Sequence, residues 1–193
     1  MSVDGGAASI GRCTDEIRFA QLYERYVARI HDFCARRLPS DVVDDAVADT
    51  FLTVWRCLHQ VPTGDAALLW VYSVAHRVVG HQRRSLARRS RLHHRLRAAD
   101  GGYAAAADDN VPDNVESCRI LAALARLGDT DAEVLRLVTW EELPLTSAAE
   151  VLGIAPDTAR QRLHRARRHL AREYDRLESS TKFSPAAPTG GTR

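Results

Sequence analysis

Apolar side chains recur along most of this chain at three- and four-residue spacing, the pattern of helices that each bury one face. Phe19, Leu22, Tyr23, Tyr26, Ile30, Phe33 and Cys34 predict a helix over residues 15–38. Pro39 ends it, and Ser40 or Asp41 is placed to cap the next helix by accepting a free backbone N–H. That helix has Val43, Ala46, Val47, Phe51, Val54 and Leu58 on its inward side. Asp44, Asp45 and Asp49 lie in its first half, where the helix dipole favours acids and an acidic face could meet a basic partner. After a Pro- and Gly-containing loop over residues 59–65, a third helix opens with Leu69, Tyr72, Val74, Ala75, Val78 and Val79 and turns strongly basic after Gly80. Further on, Ile120, Leu121, Leu124 and Leu127 form another stripe, closed by Gly128. Thr130 and Glu133 have capping-box spacing and open a helix in which Leu135, Val138 and Trp140 face inward.

The stretch from Leu145 to Leu170 carries the densest set of signals. Leu145, Ala148, Ala149 and Leu152 make one buried helical face, and Gly153 stands where the backbone needs a positive φ. Ile154 fills the turn, and Pro156 suits the first turn of a second helix. Ala159, Leu163, Ala166 and Leu170 form that helix's inward stripe. Asp157, Thr158, Arg160, Gln161, His164, Arg165 and Arg168 are left facing outward. Alanines at the crossing allow the close approach of a helix-turn-helix, and the outer face offers groups that contact phosphates and base edges. These patterns predict an all-α chain of two small helical domains, the second carrying the helix-turn-helix. The expected boundaries are residues 15–97 and 115–176, with a flexible lead over 1–14, a linker over 98–114 and a disordered tail over 177–193.

Charge sharpens this picture. The formal net charge of +2 hides segregation. Arg77, Arg83, Arg84, Arg88, Arg89, Arg91, Arg95 and Arg97 share a stretch without an acid, and Asp100, Asp108, Asp109, Asp113 and Glu116 follow in one without a base. A polyanion-binding surface beside an acidic linker is the expectation. Trp70 and Tyr72 upstream of the arginines suit single-stranded nucleic acid, where bases stack and phosphates meet guanidinium groups. Cys13, Cys34, Cys57 and Cys118 show no CxxC spacing and read as thiols of a reducing cytosol. No signal peptide and no apolar run of about 20 residues occurs, so the expectation is a soluble, cytoplasmic protein that does not engage a membrane.

An enzyme is disfavoured. His76 and His81 are five apart and His93 and His94 adjacent, so neither pair gives the i, i+4 spacing of a helical zinc site, and there is no phosphate loop or nucleophile elbow. No cofactor or metal is expected. An autonomous dimeric helix-turn-helix regulator is the alternative, yet it leaves the basic helix of the first domain without a role.

The segments FAQLYERYVARIHDFCARRL, DDAVADTFLTVWR, LLWVYSVAHRVVGHQRR, TDAEVLRLVTWEELPL and AAEVLGIAPDTARQRLHRARRHL, in this order, resemble the extracytoplasmic-function group of bacterial RNA polymerase sigma factors over roughly Phe19 to Leu170. The resemblance implies a non-catalytic subunit that binds core polymerase and promoter DNA, directs initiation and helps melt the duplex. It places Asp49, Phe51, Leu52, Trp55 and Arg56 on the segment that docks on the clamp coiled coil of the largest subunit, and implies contact with the polymerase flap. It places His59, Trp70, His76, Arg77, Arg83 and Arg84 in the loop and helix that capture, read and melt the minus-ten element. Thr158, Arg160, Gln161, His164 and Arg165 match the face that reads the minus-thirty-five element, and many members are held inactive by an anti-sigma factor. Arg77 stands where the family commonly has Asn, Asp49 where it has Glu, Ala155 where a capping Ser is common, and Gln161 where a small Ser is usual.

Overall fold

The computed structural model describes residues 5–100, 120, 122–124 and 126–182, with side chains left undescribed at residues 5–12, 92–100 and a few positions near the far end. The chain is all-α, with no strand among the described residues. It divides into two compact units at Asn110 and Val111.

In the first unit, α1 (Gly5–Ala35), α2 (Val43–Arg56) and α3 (Ala66–Asp100) pack on one another. Tyr26, Ile30 and Phe33 of α1 meet Ala46, Phe51 and Val54 of α2 and Val71, Tyr72 and Ala75 of α3 in a core from which water is nearly excluded. All six inward positions expected on the second helix are buried. Thr50, polar and not expected inside, is fully buried too; its hydroxyl donates to the Ala46 carbonyl at 2.7 Å, which removes the desolvation penalty. Arg37 is 6% exposed: its guanidinium lies 3.6 Å above the Phe33 ring and donates to the Phe33 carbonyl at 2.9 Å.

Several local expectations are corrected here. The first helix begins at Gly5, inside the stretch read as a flexible lead, and ends at Ala35. Leu38 then closes back on the Cys34 carbonyl at 2.9 Å. Neither Ser40 nor Asp41 caps α2 through its side chain. A 3₁₀ turn over Ser40–Val42 precedes it, and the carbonyls of Pro39 and Ser40 take the N–H groups of Val42 and Val43 instead. Tyr23 is 43% exposed because it lies beyond the densest part of the core. The loop after α2 is partly a second 3₁₀ turn, Leu58–Gln60, and Arg18 donates to the Val61 carbonyl, holding this loop to α1. α3 reaches Asp100, past residue 97, and Gly80 does not interrupt it. The remainder of the expected linker, and Cys118, lie outside the described residues. Among those described, Cys13, Cys34 and Cys57 form no disulfide.

The second unit holds helical residues at 120 and 122–124, then α4 (Asp129–Thr139), α5 (Leu145–Leu152) and α6 (Pro156–Lys182). Leu124, Leu127, Val134, Leu135 and Leu137 are buried, and α4 packs along α6. Ile120 of the expected stripe is 38% exposed, and Leu121 lies outside the described residues. The Thr130–Glu133 capping box does not form. Gly128 is the N-cap, two residues before Thr130, and its carbonyl accepts from Asp131 and Ala132 at 3.0 Å each. Glu133 is buried instead, 3.5 Å from the Arg136 guanidinium. α5 ends as expected: Gly153 has φ +64°, and the Ile154 N–H returns to the Ala149 carbonyl at 3.0 Å, closing a Schellman turn. Pro156 opens α6, which runs through residue 182 and so into the segment read as a disordered tail.

Candidate nucleic-acid and polymerase interfaces

The outward face of α6 follows from its inward one. Ala159, Leu163 and Ala166 are buried, with Leu170 half-buried. The 3.6-residue period then places Arg160, Gln161, His164, Arg165 and Arg168 in solvent. Thr158 is half-buried at the edge of this face. Two of the arginines already have acid partners: Arg160 meets Asp157 at 2.7 Å, and Arg165 meets Asp131 of α4 at 3.2 Å. Such exposed pairs are worth ~0–1 kcal/mol, so a DNA phosphate or base can displace them at little cost. Asp131 was not singled out from the sequence. It lies 34 positions from Arg165, and no local spacing joins the two.

On α3 the structure separates side chains that the sequence grouped. Arg77 and Arg84 are exposed, and Arg77 donates from Nε to the Ser73 carbonyl one turn back at 3.1 Å. Trp70 and His76 are half-buried. Arg83 is also half-buried and turns the other way, its Nε donating to the Arg37 carbonyl at 3.1 Å, which ties α3 to the end of α1. Tyr72, read as a stacking aromatic, is 2% exposed and packs against Phe33 with ring centroids 5.3 Å apart, so it cannot receive a base. His59 is exposed on the second 3₁₀ turn, with its Nε2 3.2 Å from the Gln60 amide nitrogen.

The outward face of α2 has a different character. Asp49 and Arg56 are exposed, as are Leu52 and Trp55, at 45% and 40%. Phe51 points inward and is 3% exposed, so it supports this face from beneath. Trp55 meets Phe19 edge-on at 5.2 Å, and Tyr23 meets Phe51 at 4.8 Å. Tyr23, Leu52 and Trp55, backed by the half-buried Phe19, leave an aromatic-rich strip in solvent, bordered by Asp49, whose carboxylate accepts from Gln82 at 3.4 Å. Exposed aromatic clusters with charged borders mark protein interaction sites. The part of this strip on α1 was missed in the sequence because Phe19 and Tyr23 share the period of the core residues.

Among the described residues, no three His, Cys, Asp or Glu side chains gather as a metal site, and no helix is long and apolar enough to cross a membrane.

Comparison with known proteins gives this geometry a context. Residues 22–89 match the Sigma-70 region 2 family, and residues 119–170 match Sigma-70, region 4. RNA polymerase sigma factor NccH of Alcaligenes xylosoxydans xylosoxydans is 28% identical over 178 residues, covering 88% of this chain and 93% of the relative. Among solved structures, the fold is similar to the sigma factor RpoE of Bartonella quintana, in complex with the anti-sigma factor NepR. That match has a TM-score of 0.60 and 19% identity over 86% of this chain and 98% of the other. It is also similar to CnrH, in complex with the cytosolic domain of CnrY, at a TM-score of 0.56 and 24% identity over 81% and 87% of the two chains. The two family matches together span well over half of the chain, one on each compact unit and in the order region 2, region 4. The chain therefore belongs to the sigma-70 family of RNA polymerase sigma factors, in its extracytoplasmic-function group.

Proposed function

We propose that this sigma factor docks on core RNA polymerase through the strip on α2 and directs it to a two-part promoter, each unit reading one element. Asp49, Leu52, Trp55 and Arg56 make the polymerase contact on the clamp coiled coil, with the second unit against the flap. His59, Trp70, His76, Arg77 and Arg84 serve the minus-ten element and its melting, and Arg83 positions the helix that carries them. Thr158, Arg160, Gln161, His164 and Arg165 read the minus-thirty-five element. Gln pairs bidentately with adenine and Arg with guanine, so Arg160 and Gln161 set base preference there. Residues 15–97 and 115–176 are the functional domains, joined through 98–114, and the protein works in the cytoplasm without catalysing bond chemistry itself.

The observation that carries this reading is the pairing of a region 2 match with a region 4 match in one chain. The exposure of most assigned side chains supports it, with Trp70, His76, Arg83 and Thr158 half-buried: a residue that contacts a partner must be reachable, and Leu52 and Trp55 are apolar residues 45% and 40% exposed to water. Two relatives of this fold are seen with an anti-sigma factor or another protein's cytosolic domain, and a protein inhibitor of the same kind belongs to the proposal.

A separation-of-function pair tests it. Arg160→Ala with His164→Ala should abolish selection of the upstream element while the protein still co-elutes with core polymerase. Trp55→Ser should abolish co-elution. Loss of core binding in the first variant, or full core binding in the second, would contradict the assignment.

A further inference from the structure

Arg18 lies on the face that α1 turns to the core. It precedes Leu22 by one turn and Tyr26 by two, and the 3.6-residue period keeps all three on one side of the helix. A guanidinium on such a face must end on an acceptor, because burying its donors unsatisfied is costly. Its Nη2 donates to the carbonyl of Val61, 43 positions along the chain, in a half-buried contact. Val61 is where the second 3₁₀ turn gives way to extended backbone, with φ −67° and ψ 122°. The turn is closed by the Gln60 N–H donating to the Cys57 carbonyl at 2.8 Å and the Val61 N–H to the Leu58 carbonyl at 3.2 Å. Leu58 and Val61 are buried on either side of His59 and Gln60, which are exposed, the imidazole Nε2 3.2 Å from the amide nitrogen. Two apolar side chains and one long-range polar bond thus anchor a turn that displays an imidazole and an amide to solvent.

We propose that Arg18 is a positioning residue for promoter recognition: by holding the Val61 carbonyl it fixes the turn that presents His59 and Gln60 to a base of the minus-ten element. The inference rests on the promoter-reading function above, which gives the turn its ligand. His59 and Gln60 bring together donors and acceptors, the groups that read the edge of an unstacked base. Such reading needs the groups held to within about 0.5 Å. A 3₁₀ turn of three residues is a poor support by itself, since its hydrogen bonds are few and badly aligned. α1 supplies the rigidity, because Tyr26, Ile30 and Phe33 fix it in the core downstream of Arg18. The bond ends on a backbone carbonyl, so it constrains the path of the chain whatever side chain stands at position 61. Arg18 itself needs no contact with DNA.

The test compares the full chain with Arg18→Met and Arg18→Lys, leaving Phe19 and its contact with Trp55 intact. Methionine keeps an unbranched apolar stem and removes every donor, and lysine restores a donor. Hydrogen exchange of the Gln60 and Val61 amides reads the strut. Both should exchange about 10-fold faster in Arg18→Met, the equivalent of one hydrogen bond to a charged group, and recover in part in Arg18→Lys. Run-off transcription with core polymerase, on templates carrying each base in turn at every minus-ten position, reads the function. Arg18→Met should still co-elute with core, and its base preference should fall about 5-fold or more at one minus-ten position while holding at the others. A merely structural strut would lower transcription from all these templates alike, and that result would overturn the proposal. Unchanged amide exchange alongside wild-type transcripts would reject the strut and keep the sigma function. Absence of transcripts from the wild type would reject the sigma function, and the role of the turn at a base with it, whatever the exchange shows.

Discussion

Two turns of the second unit carry left-handed backbone, and they hold opposite kinds of residue. Gly153 has φ +64° between α5 and α6, and Glu142 has φ +53° after α4. A Cβ built on Gly153 would meet nothing within 4 Å, so Gly153→Ala introduces no clash and isolates the backbone cost. That cost is about 1–2 kcal/mol for an L-residue in this region, offset by about 0.4–1 kcal/mol because alanine restricts the unfolded chain. The net loss is about 1 kcal/mol. Glu142→Gly reverses both terms and should gain about 0.5–1 kcal/mol, since the exposed Glu142 side chain contributes little packing. In a unit of this size 1 kcal/mol shifts Tm by about 4–8 °C. Thermal unfolding of the full chain, followed in the transition of the second unit, should therefore move down by several degrees in Gly153→Ala and up by a few in Glu142→Gly. Gly153→Asn should fall between wild type and alanine, because asparagine tolerates this region better. A neutral Gly153→Ala, or a destabilising Glu142→Gly, would refute the claim that φ governs these turns.

Phe33→Ala removes the largest fully buried side chain among the described residues and the ring under Arg37, and should destabilise the first unit by about 3–5 kcal/mol in urea titration. Trp55→Ser acts on a side chain 40% exposed; chemical denaturation should show a much smaller loss than Phe33→Ala, with binding to core polymerase falling by an order of magnitude or more. Asp131→Asn releases Arg165 from a partner 3.2 Å away and should change stability by no more than about 1 kcal/mol, while footprinting shows altered discrimination within the upstream element.

The helices were legible wherever an apolar stripe met a clear stop. The inward positions of residues 43–58 are all buried, and those of the Leu145–Leu170 motif are buried or, at Leu145, Leu152 and Leu170, half-buried, because Pro39, Gly153 and Pro156 impose backbone geometry that neighbouring residues cannot override. Caps were misread. Ser40, Asp41 and Thr130 have the right chemistry, but a 3₁₀ turn and the Gly128 carbonyl satisfy the same N–H groups first. Helix lengths were underestimated at Gly5, Asp100 and Lys182, where helix continues without an apolar stripe to announce it. At the candidate site, period alone could not separate Tyr72, which fills the core, from Tyr23, which borders the exposed strip. Three-dimensional pairs such as Asp131 with Arg165 and Arg83 with the Arg37 carbonyl leave no trace in local spacing.

Run-off transcription with bacterial core polymerase on a pool of genomic promoter fragments, with and without the purified chain, tests the central claim most directly. The account predicts discrete new transcripts whose upstream sequences share two elements, and loss of those transcripts with Trp55→Ser. No chain-dependent transcripts, together with failure of the chain to co-elute with core, would contradict it.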